Sequence, residues 1–202
     1  MQISEQCRVA KPPPYGCPAN DSRVTAILLV PTVIDPHEPH RRYAAAVLFA
    51  MEKHRIQTRR DGTPYIAHPL RVAESLRTIA AISDPDVIIA ALLHDLIEDT
   101  ECDWDAIESR FGARVADLVA ELSGDMRLPK EHRRRDLLER IRKASPEART
   151  IRLADRLDNL TDMQGFSERR RTDYIAGTQA VLEACHGANA ALEARLRAAL
   201  TS

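Results

Sequence analysis

The stretch AALLHDLIEDT, residues 90–100, ends a run of small and aliphatic side chains with one histidine and three carboxylates. At about 100° per residue on a helix, His94 stacks on Glu98 and Asp95 on Asp99, and the four fall within an arc of roughly 140°. Leu92, Leu93, Leu96 and Ile97 lie outside that arc or at its edge. Carboxylates at a helix C-terminus oppose the partial negative charge already there and repel one another. A bound cation reverses both effects, and a histidine beside an aspartate offers it one nitrogen and one oxygen. The competing reading is a helix surfacing into water, with Asp95 and Glu98 solvated and Asp99 or Thr100 capping the next helix. Two further segments bear on the choice. In GTPYIAHP a lone histidine, His68, stands between prolines. In IRLADRLDNL, residues Arg152, Asp155 and Asn159 share one helical face. An aspartate on a core-building helix is costly to bury unless it is paired or bound to metal. Arg152 and Arg156 are its ordinary ion-pair partners.

The elements that must position these residues are helical. RRYAAAVLFAMEKHRIQ predicts a helix with Ala45, Leu48 and Phe49 inward. RRDGTPYIAHP reads as a turn, punctuated by Asp61-Gly62 and fenced by Pro64 and Pro69. Residues 69–81 predict a helix with Leu70, Ala73 and Leu76 on one side. Asp84 as N-cap and Pro85 at the first helical position open the helix that runs into His94. Asp103 caps a short helix ending near Gly112, and Val115, Leu118, Val119 and Leu122 define the face of the next. EHRRRDLLERIRK is a basic helix whose arginines are expected to be mostly solvated or paired with its own acids. Pro146 starts the helix of IRLADRLDNL. Helices at about 168–185 and 188–200, split near Gly187, close the chain. No strand pattern follows residue 37, so the expected fold class is all-α. Residues 1–37 differ, because Pro12, Pro13, Pro14, Pro18, Pro31 and Pro36 deny them helical periodicity. They are expected to form an irregular N-terminal tail, with residues 24–30 the candidate for a short strand, and residues 38–202 a single domain.

Composition excludes some function classes. Lys plus Arg number 29 against 30 Asp plus Glu, a net charge of -1. No global field draws such a chain to nucleic acid or membrane, so an anionic ligand must be held by local cations. ERRRTD, at 168–173, therefore reads as surface and not as an RNA grip. The longest apolar run, VTAILLVPTVI, is far short of the roughly 20 residues a membrane span needs, and it lacks the flanks of a signal peptide. Cys7, Cys17, Cys102 and Cys185 form no CxxC pair and no ligand spacing. Free thiols in a reducing cytoplasm are expected.

Taken in order, RRDGTPYIAHPLRVAESL, ALLHDLIEDT, FGARVADLVAELS, LPKEHRRR and IRLADRLDNL resemble the HD superfamily of metal-dependent phosphohydrolases. Within it the match narrows to the RelA/SpoT-type alarmone hydrolases, and among those to small stand-alone enzymes similar to the metazoan SpoT homologue. The resemblance spans roughly residues 40–165 and implies an HD-domain helical bundle. It further implies Mn²⁺ held by His68, His94, Asp95 and Asp155, with Glu98 and Asp99 positioning and activating the attacking water. Arg59, Arg60, Lys130, Arg152 and Asn159 are the implied contacts to the substrate. Arg60 and Arg152 stand where the family carries lysine, which keeps the charge but changes the donor geometry. The implied reaction is hydrolysis of the 3′-pyrophosphate of the guanine nucleotides ppGpp and pppGpp, giving GDP or GTP and pyrophosphate. No second motif set for synthesis is present, so degradation alone is expected. The rival readings are an HD phosphohydrolase for another nucleotide, such as an NADPH 2′-phosphatase, and a metal-free module that binds alarmone without cleaving it.

Overall fold

Prolines and short polar side chains set the helix starts in the computed structural model, which describes residues 38–163 and 165–201 but not the side chains of Lys130, Glu131 and Arg134. The described residues form α1 (Pro39–Lys53), α2 (Ala67–Thr78), α3 (Pro85–Leu93), α4 (Leu96–Asp99), α5 (Trp104–Phe111), α6 (Ala113–Leu122), α7 (Lys130–Lys143), α8 (Pro146–Thr161), α9 (Glu168–Ala184) and α10 (Ala190–Leu200). Among them the only β-type pairing is an isolated bridge between Thr58 and Pro64. The expected tail, residues 1–37, and its candidate strand lie outside the described residues. Asp84 accepts from the Asp86 amide at the start of α3, and Asp103 from the Ala106 amide at the start of α5. Ser145 and Asn189 do the same for α8 and α10. Each such cap satisfies one amide that the helix itself leaves unpaired. Gly112, at φ 91, ends α5 in backbone space that a side chain would resist and leads directly into α6.

The core is built around α3. Every residue from Val87 to Leu93 is buried, so this helix is apolar on all sides and needs neighbours all round. α1, α2, α6 and α8 supply them. Leu76 of α2, Leu122 of α6 and Leu153 of α8 are fully buried against it. Replacing Leu76 with alanine is expected to cost about 2–5 kcal/mol and to lower the melting temperature by roughly 5 °C or more, read by circular dichroism. No helix among the described residues is long and apolar enough to cross a membrane.

Two local expectations are corrected. In α1 the inward residues are Ala46, Phe49 and Ala50, while Ala45 is exposed and Leu48 is 66% exposed. Phe49 settles the face by packing on Phe111, with ring centroids 5.7 Å apart, and the two alanines on its side let α3 approach. The second correction concerns the helix through His94, which does not continue to residue 99. α3 ends at Leu93, His94 (φ -58, ψ -29) and Asp95 (φ -97, ψ -3) make a turn, and α4 follows as a single short segment. On an unbroken helix, adjacent side chains diverge by about 100°. The turn instead brings His94 Nε2 to 3.0 Å from Asp95 Oδ2.

Candidate metal centre

Three segments meet where α3 ends. His68 comes from the first turn of α2, His94 and Asp95 from the turn between α3 and α4, and Asp155 from the middle of α8. His68, His94 and Asp155 are all buried and offer ligand atoms within 4.8 Å of one another. His68 Nε2 lies 3.3 Å from Asp155 Oδ1 and 3.5 Å from Asp95 Oδ2. His94 Nε2 lies 3.0 Å from Asp95 Oδ2 and 3.7 Å from Asp155 Oδ1. Donors about 2.1 Å from a common ion and at right angles to each other stand about 3.0 Å apart, so these separations suit neighbouring positions around one divalent cation. The decisive atom is His94 Nε2. It is buried and makes no hydrogen bond among the described residues despite the carboxylate 3.0 Å away. Nitrogen and oxygen are close enough to share one ion but do not form a hydrogen bond to each other. Two imidazoles and two carboxylates fit a divalent transition metal and leave positions open for water and substrate.

A surrounding layer fixes these donors. The Asp155 oxygens divide their work: Oδ2 accepts from Arg152 Nη1 at 3.0 Å, while Oδ1 faces the imidazoles and accepts from the Asn159 amide. The ion pair of Asp155 with Arg152 thus occupies one oxygen and leaves the other on the side where an ion could be held. His94 Nδ1 is hydrogen-bonded to the Ala91 carbonyl at 2.8 Å, which leaves Nε2 for a ligand role. Tyr65 Oη donates to Asp95 Oδ2 at 2.6 Å. His68 Nδ1 meets Asp158 Oδ2 at 2.7 Å. Tyr65 and Asp158 escaped sequence reasoning. The signals were there, since Tyr65 precedes His68 by three residues in PYIAH and Asp158 follows Asp155 by three in LADRLD. Each partner, however, is fixed only by the tertiary fold.

The remaining candidates divide. Asp99 Oδ2 is 3.2 Å from Tyr65 Oη, and partial burial together with the negative Asp95 raises its carboxyl above the usual range. Glu98 Oε1 accepts from the Gly124 amide in the link between α6 and α7. Arg59, Arg60 and Asn159 line a cleft of about 250 Å³ together with Tyr65, Phe166 and Tyr174. Tyr65 and Asn159 belong to both the cleft and the metal centre, so the two are continuous. Arg59 Nη2 donates to Asn159 Oδ1 at 3.0 Å and pairs with Asp162 at 2.8 Å, while Arg60 lies 4.2 Å over the Phe166 ring. Arg152 is placed differently. It is 8% exposed, and its guanidinium donates to Asp155 and to the Leu122 carbonyl. The Lys130 side chain lies outside the described residues. Cys102 and Cys185 are free and buried, and burial pushes the Cys185 thiol up to about 11. Cys7 and Cys17 lie outside the described residues.

The centre's negative charge is visible in its imidazoles. Burial alone would depress His68, but the carboxylates of Asp155, Asp158 and Asp95 outweigh it and lift the ring to about 11. His94, opposed by burial but favoured by Asp95 and Asp155, is lifted to about 9. These values lie above the ordinary 6.5, so the metal-free fold gains stability from the imidazolium forms. That gain is complete below about pH 6.5 and is lost as pH rises through 9 and then 11. A divalent ion competes with the same protons. Thermal melts with and without divalent metal should therefore show a larger stabilisation near pH 9 than near pH 6.5; an equal shift at both would contradict the assignment.

The buried His94 beside the half-buried Asp95, with His68 and Asp155 brought to them from flanking helices, sets the frame for comparison with known proteins. Residues 46–183 match the HD domain family, and the chain belongs to it. More particular likenesses follow. The chain is 39% identical over 165 residues to the Drosophila melanogaster guanosine-3′,5′-bis(diphosphate) 3′-pyrophosphohydrolase MESH1, covering 78% of this chain and 92% of that protein. It is 44% identical over 156 residues to the Homo sapiens protein of the same name, covering 74% and 87%. Among solved structures it is similar to a metazoan ortholog of SpoT that hydrolyzes ppGpp and plays a role in starvation responses. That match has a TM-score of 0.76 at 37% identity and covers 79% of this chain and 94% of the other.

Proposed function

We propose that this chain is a Mn²⁺-dependent guanosine-3′,5′-bis(diphosphate) 3′-pyrophosphohydrolase that converts ppGpp to GDP and pppGpp to GTP, releasing pyrophosphate. The observation that carries the reading is the convergence of His68, His94 and Asp155, with Asp95 Oδ2 3.0 Å from the unpartnered Nε2 of His94. Relatives named for this activity, at about 40% identity over most of their length, support the choice of substrate. When bound, the divalent ion supplies Lewis-acid polarisation of the phosphoryl group and a more acidic water.

The protein's own residues do the rest. In the reaction, water adds to the phosphorus attached to the ribose 3′-oxygen. The P–O3′ bond breaks, and the 3′-oxygen leaves as a hydroxyl by taking up, in the end, the proton that the attacking water loses. Asp99, with its raised carboxyl and its contact to Tyr65, receives the proton from the attacking water. Glu98, fixed by the Gly124 amide, orients that water. Arg59, Arg60 and Asn159 hold the nucleotide in the cleft beside the centre. Arg152 acts through Asp155 rather than on the substrate. Residues 38–202 are the catalytic domain, and a nucleotide substrate together with unpaired thiols agrees with a cytoplasmic setting. Product analysis tests the reading. Purified protein with Mn²⁺ should release pyrophosphate and GDP from ppGpp, and a chelator should stop it. Orthophosphate from NADPH with ppGpp untouched would assign the centre to another nucleotide; nucleotide binding without turnover would make it a sensor.

A further inference from the structure

Asp158 does not reach the metal donors, yet it is only 7% exposed and both of its oxygens are engaged. Oδ2 stands 2.7 Å from His68 Nδ1 and accepts from Arg71 Nη2 at 3.0 Å, while Oδ1 accepts from Arg71 Nε at 2.6 Å. The guanidinium thus grips the carboxylate with two parallel bonds, which fixes its plane as well as its position. Arg71 and His68 both come from α2, whereas Asp158 shares α8 with Asp155. α8 therefore presents one aspartate to the ligand side of the His68 ring and another, three residues on, to its back.

We propose that Asp158, gripped by Arg71, is a positioning residue that sets how tightly this protein holds its divalent ion. To ligate a metal, the His68 imidazole must give up one of its two protons, and the neutral ring then carries a single proton. Asp158 accepts it at Nδ1, so Nε2 keeps a free lone pair and faces Asp155 Oδ1 and Asp95 Oδ2, 3.3 and 3.5 Å away. The ring cannot then turn or change tautomer without breaking a buried, charge-assisted bond. Partners of this kind alter metal affinity by roughly 10–100-fold. Arg71, whose side chain is 48% exposed, anchors the carboxylate without being enclosed in the centre. Its loss should weaken metal binding less than loss of the carboxylate.

The inference rests on His68 as a metal ligand, and its test uses no nucleotide. Mn²⁺ affinity of the full chain is measured by competition with a chelating dye. Asp158→Asn is expected to raise the Mn²⁺ Kd roughly 10–100-fold at unchanged helix content, with kcat largely recovered at saturating Mn²⁺. Arg71→Met should raise it several-fold. Wild-type Mn²⁺ affinity in Asp158→Asn overturns the inference and leaves the proposed function standing. Absence of Mn²⁺ binding to the wild type removes both. Should Asp158→Asn fail to fold, nitrogen-15 spectra of the Zn²⁺-loaded wild type decide: a proton on His68 Nδ1 supports the inference, and a proton on Nε2 overturns it.

Discussion

Replacing His94 with alanine is expected to cut ppGpp turnover by on the order of 10³-fold or more and to leave the purified protein without stoichiometric divalent metal. The ring is 2% exposed, and its Nε2 has no hydrogen-bond partner among the described residues. Such an atom is costly in a folded protein unless something unseen by hydrogen bonding completes it. A divalent ion would complete it, and where such an ion contributes several kcal/mol to the transition state, each 1.36 kcal/mol is tenfold in rate. Asp155→Asn should fail similarly, since Asp155 also orients Asn159 at the edge of the cleft. Metal analysis beside kinetics separates this from mere unfolding. Retained metal with retained turnover would remove His94 from the centre.

Glu98→Gln and Asp99→Asn are expected to lower kcat by about 10²–10⁴-fold while leaving Mn²⁺ affinity near wild type. Glutamine can still accept the Gly124 amide hydrogen bond through its Oε1, so that substitution removes charge and basicity with little structural change. Asp99 adds a signature of its own. Its carboxyl is raised by partial burial and by Asp95, so kcat should fall as pH drops through the range where Asp99 gains its proton. Asp99→Asn should flatten that acid limb. A variant that loses metal instead of turnover would make these carboxylates ligands, and one with wild-type kcat would make them bystanders.

Much of this arrangement was legible in the sequence because it rests on local chemistry. Asp84 with Pro85, Asp103 and Pro146 mark helix starts through groups that act within a few residues. His94 and Asp95 stand out at the end of an apolar run and Asp155 on a core-building helix, whereas His68 reads as a lone histidine in a turn; the order in which the four occur carries the family resemblance. What stayed hidden was settled by tertiary packing. The break at His94–Asp95 comes without glycine or proline, so no residue in ALLHDLIEDT signals it. Asp158 reads as one more polar residue on α8, and its partner His68 lies 90 positions away. Helical periodicity predicts Leu48 inward with Ala45 and Phe49. In YAAAVLFA, however, alanines on several faces leave Phe49 and its packing on Phe111 to choose the side. The pairing of Arg152 with Asp155 is local and legible, whereas its second bond, to the Leu122 carbonyl, comes from the packing of α6 on α8.

The most direct test of the metal centre is an anomalous difference map from crystals grown with Mn²⁺ and measured at the manganese edge. One strong peak is expected about 2.2 Å from His68 Nε2, His94 Nε2 and a carboxylate oxygen of each of Asp95 and Asp155. No peak there, or a peak that leaves out His68 or Asp155, would contradict it.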